Sequence, residues 1–307
     1  MRNAFNKTIL DLTKKNDRIV LLTADMGYGQ LETFAQMFPG RFYNVGVAEQ
    51  NMTGIASGLA MEGNIVITYS IGNFPTLRTL EQIRNDVCYH NLNVKIVIIG
   101  GGLSYGVLGV SHHSTEDLAI MRALPNMVVV SPCDCYEAKA AAEAMIEYEG
   151  PVYYRCGYKG EKDIHQKPVD YKIGRSIKIR DGCDATIIFA GSIGYNVLLA
   201  CDLLLKRGIK SSLISMHTLK PIDAGAISKA AEKTRTIITV EEHNILGGLG
   251  GAVAEVLAEI CTERIKFKRI GIPDVYATEI GSRDWLLTKY CMSPLGIAET
   301  VTKVLES

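Results

Sequence analysis

This chain of 307 residues is short of several things, and each shortage removes a class of function. Neither sign of charge is in excess: lysine plus arginine equals aspartate plus glutamate, 33 each. That balance gives no electrostatic draw toward nucleic acid or an anionic membrane. No apolar run approaches the ~20 residues of a membrane span. The first residues, Met1-Arg-Asn-Ala-Phe-Asn-Lys7, lack the apolar core of a secretory signal. There is no Cys-x-x-Cys: the eight cysteines are scattered, and Cys133 and Cys135 form a Cys-x-Cys pair. Most fall inside apolar segments, as buried reduced thiols do, and this suits a cytoplasmic protein. No set of residues reads as a metal site. The Gly-x-x-x-x-Gly-Lys-[Ser/Thr] phosphate loop is absent. Gly247-Gly-Leu-Gly250-Gly-Ala fails the dinucleotide spacing because position 253 is Val. It reads as close helix–strand packing. No low-complexity segment and no internal repeat is visible.

Hydrophobic residues make up 47% and charged residues 21%, as in an ordinary globular protein long enough for two full-sized cores. Short β-branched runs alternate with helical patterns at 18–24, 64–70, 94–101, 127–132 and 151–155, then at 184–190, 209–216, 234–241 and 267–272. Strand-then-helix alternation predicts an α/β fold of two consecutive domains, each a mostly parallel sheet flanked by helices. The polar stretch at about 157–175, with Gly157, Gly160 and Pro168, reads as the linker. The domains are expected at 1–160 and 175–307.

Six segments carry residues suited to chemistry, and each also has an ordinary reading. In Tyr43-Asn-Val-Gly-Val-Ala-Glu49-Gln-Asn-Met-Thr-Gly54-Ile-Ala-Ser-Gly58-Leu-Ala-Met-Glu-Gly63, a strand over Phe42–Val47 leads to Glu49 and a helix over 49–61. Taken alone, Glu49 is a first-turn acid that complements the helix dipole. Glycine costs a helix ~1 kcal/mol against alanine, so Gly54 and Gly58 suggest close packing against another helix or a ligand. Phe74, in Asn73-Phe-Pro-Thr-Leu77-Arg78, is either core packing or a stacking surface. His112 and His113, in Gly109-Val-Ser-His-His-Ser-Thr-Glu116-Asp117, follow a strand and a glycine-rich loop. Adjacent histidines rarely chelate one ion, but a histidine near neutral pKa suits proton transfer. Gly150-Pro-Val-Tyr-Tyr-Arg155 and Met1-Arg2 each supply a guanidinium, either on the surface or poised to bind an oxyanion bidentately. Asp25 closes the first strand, at the end where α/β sheets bind ligands, or simply forms a turn.

Together these segments resemble the transketolase superfamily. The resemblance covers the whole chain but only the pyrimidine-binding and C-terminal parts of a full transketolase. It implies that Glu49 hydrogen-bonds the N1′ atom of the aminopyrimidine of thiamine diphosphate and so assists removal of the thiazolium C2 proton. It implies that Phe74 stacks on that ring, with Leu77 where a further aromatic often lies; Asp25, by its place at a strand end, is expected on the cofactor side. His112, and less directly His113, would contact the reacting oxygens of the substrate. Arg155 and Arg2 would bind the anionic group of a sugar, and Arg78 would face the substrate. Two places where full-length members carry histidine and aspartate hold Gly100 and Leu108 here. Glu241-Glu-His-Asn244 resembles the family's C-terminal domain in a structural role. The Gly-Asp-Gly segment through which the family holds Mg²⁺ is absent. The implied protein is therefore the C-terminal subunit of a split transketolase. A separate N-terminal subunit would carry Gly-Asp-Gly and hold most of the metal and diphosphate, in a heterotetramer. The implied reaction moves a two-carbon ketol unit from a ketose to an aldose. The rival readings are the β subunit of a 2-oxo acid dehydrogenase E1 component, and a non-catalytic regulatory or scaffold protein on the same fold.

Overall fold

Strands made of β-branched and aliphatic residues can be buried on both faces when helices cover the sheet. The computed structural model, which describes residues 1–260 and 264–307, shows two such sheets. The strands are β1 (Ile19–Thr23), β2 (Phe42–Asn44), β3 (Ile65–Ile71), β4 (Val94–Ile99), β5 (Val128–Val130), β6 (Val152–Cys156), β7 (Ile177–Arg180), β8 (Ala185–Ala190), β9 (Ser211–Ser215), β10 (Thr218–Lys220), β11 (Thr236–Asn244) and β12 (Lys266–Ile272). Every residue of β1, β3, β4, β5, β6, β8 and β9 is buried. The first sheet runs β10-β5-β6-β4-β3-β1-β2 and the second β12-β11-β8-β9-β7. All pairings are parallel except β10 on β5 and β7 on β9.

Three local features differ from the sequence expectation. The strand expected over Phe42–Val47 stops at Asn44. There the Asn44 Oδ1 accepts from the amides of Gly46 (3.1 Å) and Asp25 (2.9 Å), and Gly46 turns the chain at φ +72°. The short edge strands β7 and β10 lack a long apolar run and were not expected. β10 also crosses the domain boundary: it leaves the second domain's chain to pair with β5 of the first sheet. The linker is not a loose tether. Asp134, which caps the helix Cys135–Glu147 by accepting from the amides of Tyr136 and Glu137, also accepts from the amides of Ile164 (3.0 Å) and His165 (2.8 Å). Tyr171 then stacks on His217 at 3.9 Å.

The helix Glu49–Met61 sets the site. Met52, Ala56 and Ala60 pack into the first core with Val20, Leu22 and Val66. Burying a side chain such as Met52 contributes roughly 1.5–3 kcal/mol. The opposite stripe, Gly54, Ile55, Gly58 and Met61, faces outward. A Cβ added at Gly54 or Gly58 would meet nothing within 4 Å, so no packing inside this chain calls for glycine there. Among the described cysteines, Cys88, Cys133, Cys156 and Cys201 are buried and all seven are free thiols; Cys183 and Cys291 are exposed.

In the second domain Glu241 takes the first turn of the helix Leu249–Ile260, accepting from the amides of Leu249 (2.6 Å) and Gly250 (2.8 Å). A Cβ at Gly248 would lie 2.0 Å from the Glu241 Oε2, and one at Gly250 would lie 2.7 Å from the Arg269 Cγ. The glycine run is thus close packing, as its spacing indicated.

Candidate active site

Chain segments leaving the carboxyl ends of parallel strands gather at one edge of the first sheet. Asp25 follows β1, Glu49 follows β2, Phe74 follows β3, and the loop Gly100–His113 follows β4. Four of the expected residues meet there. Glu49 is 3% exposed, and its Oε2 receives the Nη1 of Arg78 at 2.7 Å. The Arg78 guanidinium also lies over the Phe74 ring, 4.9 Å from its centroid. His112 meets the same ring edge-on at 5.3 Å. A short helical turn, Phe74–Leu77, places Phe74 and Arg78 next to each other. The Asn73 Nδ2 donates to the carbonyl of Ser111 at 2.8 Å, tying the phenylalanine segment to the histidine loop.

The result is a buried carboxylate, a half-buried aromatic ring and an imidazole around one space, with a planar cation inside it. The carboxylate can hold a ring nitrogen and its proton. The phenylalanine can stack on a flat heterocycle, and the imidazole can exchange a proton with a bound oxygen. The Ser111 Oγ lies 3.0 Å from the His112 Nδ1, leaving Nε2 for the open side.

Other expected residues sit differently. His113 is turned inward, 3% exposed, with no hydrogen-bond partner for Nε2. Burial pushes its pKa down. The two histidines therefore separate, and His113 is not at the opening. Arg155 is also not an open anion site. It is 3% exposed, its Nε and Nη2 lie 2.7 and 3.2 Å from the Asp117 carboxylate, and Nη2 donates to the carbonyls of Ser114 (2.8 Å) and Glu242 (3.0 Å). Gly101 passes directly over it: a Cβ there would lie 2.8 Å from Nε. Arg2 is freer. Its Nε is buried without a partner, and its guanidinium lies over the Tyr158 ring at 5.3 Å. Tyr158 contacts Tyr105 (4.5 Å between centroids), which in turn lies 6.1 Å from His112. Arg2 thus reaches the histidine through two aromatic rings.

Leu77 is 47% exposed beside Arg78. The Asp25 Oδ1 accepts from the Tyr28 hydroxyl (2.6 Å) and the Asn44 Nδ2 (3.2 Å), which hold its pKa below the usual carboxylate range. Asp25 adopts φ +52°, a turn conformation, so the turn-forming reading describes its local role. Sequence reading missed Tyr105, Tyr158 and Asp117. Tyr105 carried one signal, its position inside a run of glycines. Asp117 carried none, because its partner Arg155 lies 38 residues on.

Residues 1–157 match the pyrimidine binding domain of transketolase, and residues 174–297 match the transketolase C-terminal domain. The chain is 36% identical to one subunit of the apulose-4-phosphate transketolase of Phocaeicola vulgatus, over 99% of this chain and 97% of that one. It is also 36% identical to a 6-deoxy-6-sulfo-D-fructose transketolase subunit of Clostridium sp. strain MSTE9, over 100% and 94%. Among solved structures it superposes on a split gene transketolase, an inactive beta4 tetramer, with a TM-score of 0.90 and 37% identity, covering 99% of this chain and 97% of that one.

Proposed function

The chain belongs to the transketolase family, and we propose that it is the C-terminal subunit of a two-chain, thiamine-diphosphate-dependent transketolase. The observation that carries this reading is the constellation of Glu49, Phe74 and His112 around one space. The residues fit an aminopyrimidine. Glu49 is a buried carboxylate whose ion-pair partner is a half-exposed arginine rather than an internal group, and Phe74 offers a ring face on which a planar group already lies. When bound, the cofactor supplies the stabilised carbon nucleophile that a ketol transfer needs. Glu49 holds a proton at the pyrimidine nitrogen, Phe74 fixes the plane of the ring, and His112 exchanges a proton with the sugar oxygen. The Arg78 guanidinium stands in the space that the ring takes in this reading, so it moves aside on binding.

The metal and diphosphate are held mainly by an N-terminal subunit, because this chain has no Gly-Asp-Gly. The outward stripe Gly54-Ile55-Gly58-Met61, with exposed Tyr28 and Val47, suits close approach of a second chain in a heterotetramer. Relatives act on a sugar phosphate and a sulfosugar, which supports an anionic sugar here. Arg2, with its unpartnered Nε, takes the anion in place of Arg155. The decisive experiment co-expresses the chain with a candidate N-terminal subunit and measures ketol transfer, mass and cofactor binding. The pair should be active as a heterotetramer, and the chain alone should be inactive. Micromolar binding of thiamine diphosphate with Mg²⁺ by the chain alone, or full activity of a one-to-one heterodimer, would refute this.

A further inference from the structure

The loop that carries His112 is not held by the first domain alone. Its base is closed by a two-residue antiparallel bridge, in which Gly102 and Ser114 exchange amide–carbonyl bonds at 2.9 Å. Inside that base the loop rests on the second domain. Leu103 is fully buried and belongs to the second domain's apolar core, with Phe189 and Leu286. Its amide donates to the Glu242 Oε1 at 2.8 Å. Glu242 is 1% exposed and is gripped from the other side by Arg283, whose Nε lies 3.0 and 3.1 Å from the two carboxylate oxygens and whose Nη2 lies 2.5 Å from Oε2. Ser192 closes the cluster, donating to Oε2 at 3.3 Å and accepting from the Arg283 Nη2 at 3.1 Å. The fit leaves no room: a Cβ at Gly102 would lie 2.6 Å from the Glu242 Cγ, and one at Gly106 would lie 2.5 Å from the Gly281 carbonyl.

We propose that Glu242 is a positioning residue for the transfer reaction: from the second domain it fixes the Gly100–His113 loop, and so sets where His112 stands against Phe74. This rests on the function proposed above. The physical reason is selectivity of support. The Leu103 amide is a buried donor that must be satisfied, and a carboxylate neutralised by Arg283 satisfies it without leaving a bare charge. Glu49 and Phe74 lie on segments after β2 and β3, and neither side chain touches Glu242: their contacts are with Arg78 and His112. Loosening the loop therefore moves the imidazole first, while Glu49, paired with Arg78 on other segments, keeps its place.

The test is Glu242→Gln in the two-chain enzyme, with Glu242→Ala beside it. The amide keeps the shape but turns a donor toward Arg283. Hydrogen exchange of peptides covering residues 100–113 should quicken by about 10-fold or more, and kcat for ketol transfer should fall about 10–100-fold, as expected for a lost hydrogen bond to a charged group. KM should change less than kcat. C2–H exchange of bound thiamine diphosphate, which needs Glu49 but no sugar, should stay at the wild-type rate. Unchanged loop protection in Glu242→Gln, or unchanged kcat, overturns the proposal. So does a parallel fall of kcat and C2–H exchange, which would mark Glu242 as general scaffolding. If Glu242→Ala does not fold, the isosteric variant still decides. If the wild-type pair transfers no ketol unit, the functional reading fails separately, and the hydrogen-exchange arm still reports whether Glu242 holds the loop.

Discussion

Replacing Arg78 by alanine should tighten cofactor binding, which is the opposite of what removing an active-site arginine usually does. With no cofactor bound, the guanidinium occupies two contacts that an aminopyrimidine would need: the Glu49 carboxylate at 2.7 Å and the Phe74 face at 4.9 Å. Both must be given up when the ring enters. The ion pair is discounted because the Arg78 side chain is 48% exposed, which puts it in the range of about 0.2–1 kcal/mol. A cation over an exposed ring adds about 0.5–1 kcal/mol. Together they oppose binding by about 1–2 kcal/mol, so Arg78→Ala should lower the apparent Kd for thiamine diphosphate ~5–30-fold. Loss of Arg78 also leaves the buried Glu49 without a partner in the empty enzyme, which acts in the same direction. Lysine at 78 should fall between, keeping the charge but not the planar face. The assay is titration calorimetry of the two-chain enzyme with thiamine diphosphate at saturating Mg²⁺. A thermal melt should show a lower Tm without cofactor and a larger cofactor-induced rise. Weaker or unchanged binding would mean that Arg78 does not compete for the ring's place, and the stacking role given to Phe74 would lose its support.

Other outcomes follow from the same geometry. Glu49→Gln should leave assembly intact but slow C2–H exchange of bound cofactor, followed by NMR, by on the order of 10²–10⁴-fold; wild-type exchange would reduce Glu49 to a helix-end acid. Arg2→Ala should raise KM for an anionic sugar about 10-fold while sparing glycolaldehyde. Arg155→Ala should instead destabilise the fold by about 3–5 kcal/mol through the stranded Asp117, visible as a lower denaturant midpoint; a normal midpoint with an anion-specific KM effect would restore Arg155 as the anion site. Lys95 is fully buried, its Nζ donates to the carbonyls of Tyr148 (2.6 Å) and Gly150 (2.7 Å), and burial pushes its pKa down to about 7 from 10.5. Between those values the unfolded chain binds more protons than the folded one, so Lys95 makes stability rise with pH by at most about 1.4 kcal/mol per pH unit. Lys95→Met should flatten that rise between pH 7 and 10 in paired urea titrations; identical slopes would place the titration elsewhere.

The sequence showed the sheets because strands buried on both faces must be written as uninterrupted apolar runs. β7 and β10 escaped because a three- or four-residue edge strand with polar residues in it, such as Thr218-Leu-Lys220, is too short to form such a run. Glu49, Phe74 and His112 were legible only through the family resemblance of their segments, since taken alone each had an ordinary reading as a helix-end acid, a core aromatic or a solvated loop residue. Arg155 was misjudged. Its type and place at a strand end were visible, but the carboxylate that occupies it comes from 38 residues away, and the loop that roofs it is set by tertiary packing. His113 likewise shares all its local sequence with His112, and only the turn of the loop sends one ring inward.

The strand β10 has a consequence for how the two domains can be separated. A sheet edge left bare offers unpaired amides and carbonyls to any other chain. In the first sheet that edge is β5, Val128–Val130, and the cover comes from residues 218–220, far beyond the linker. A fragment ending in the linker would thus hold the Glu49, Phe74 and His112 residues without the second-domain support of the histidine loop, and would also display a raw strand edge prone to aggregate by adding strands. Nicking the linker while both pieces remain together need not release them, because the sheet itself is a seam between the two halves. Any rearrangement that moved the first domain to another gene without its distant strand would have to supply a new edge guard.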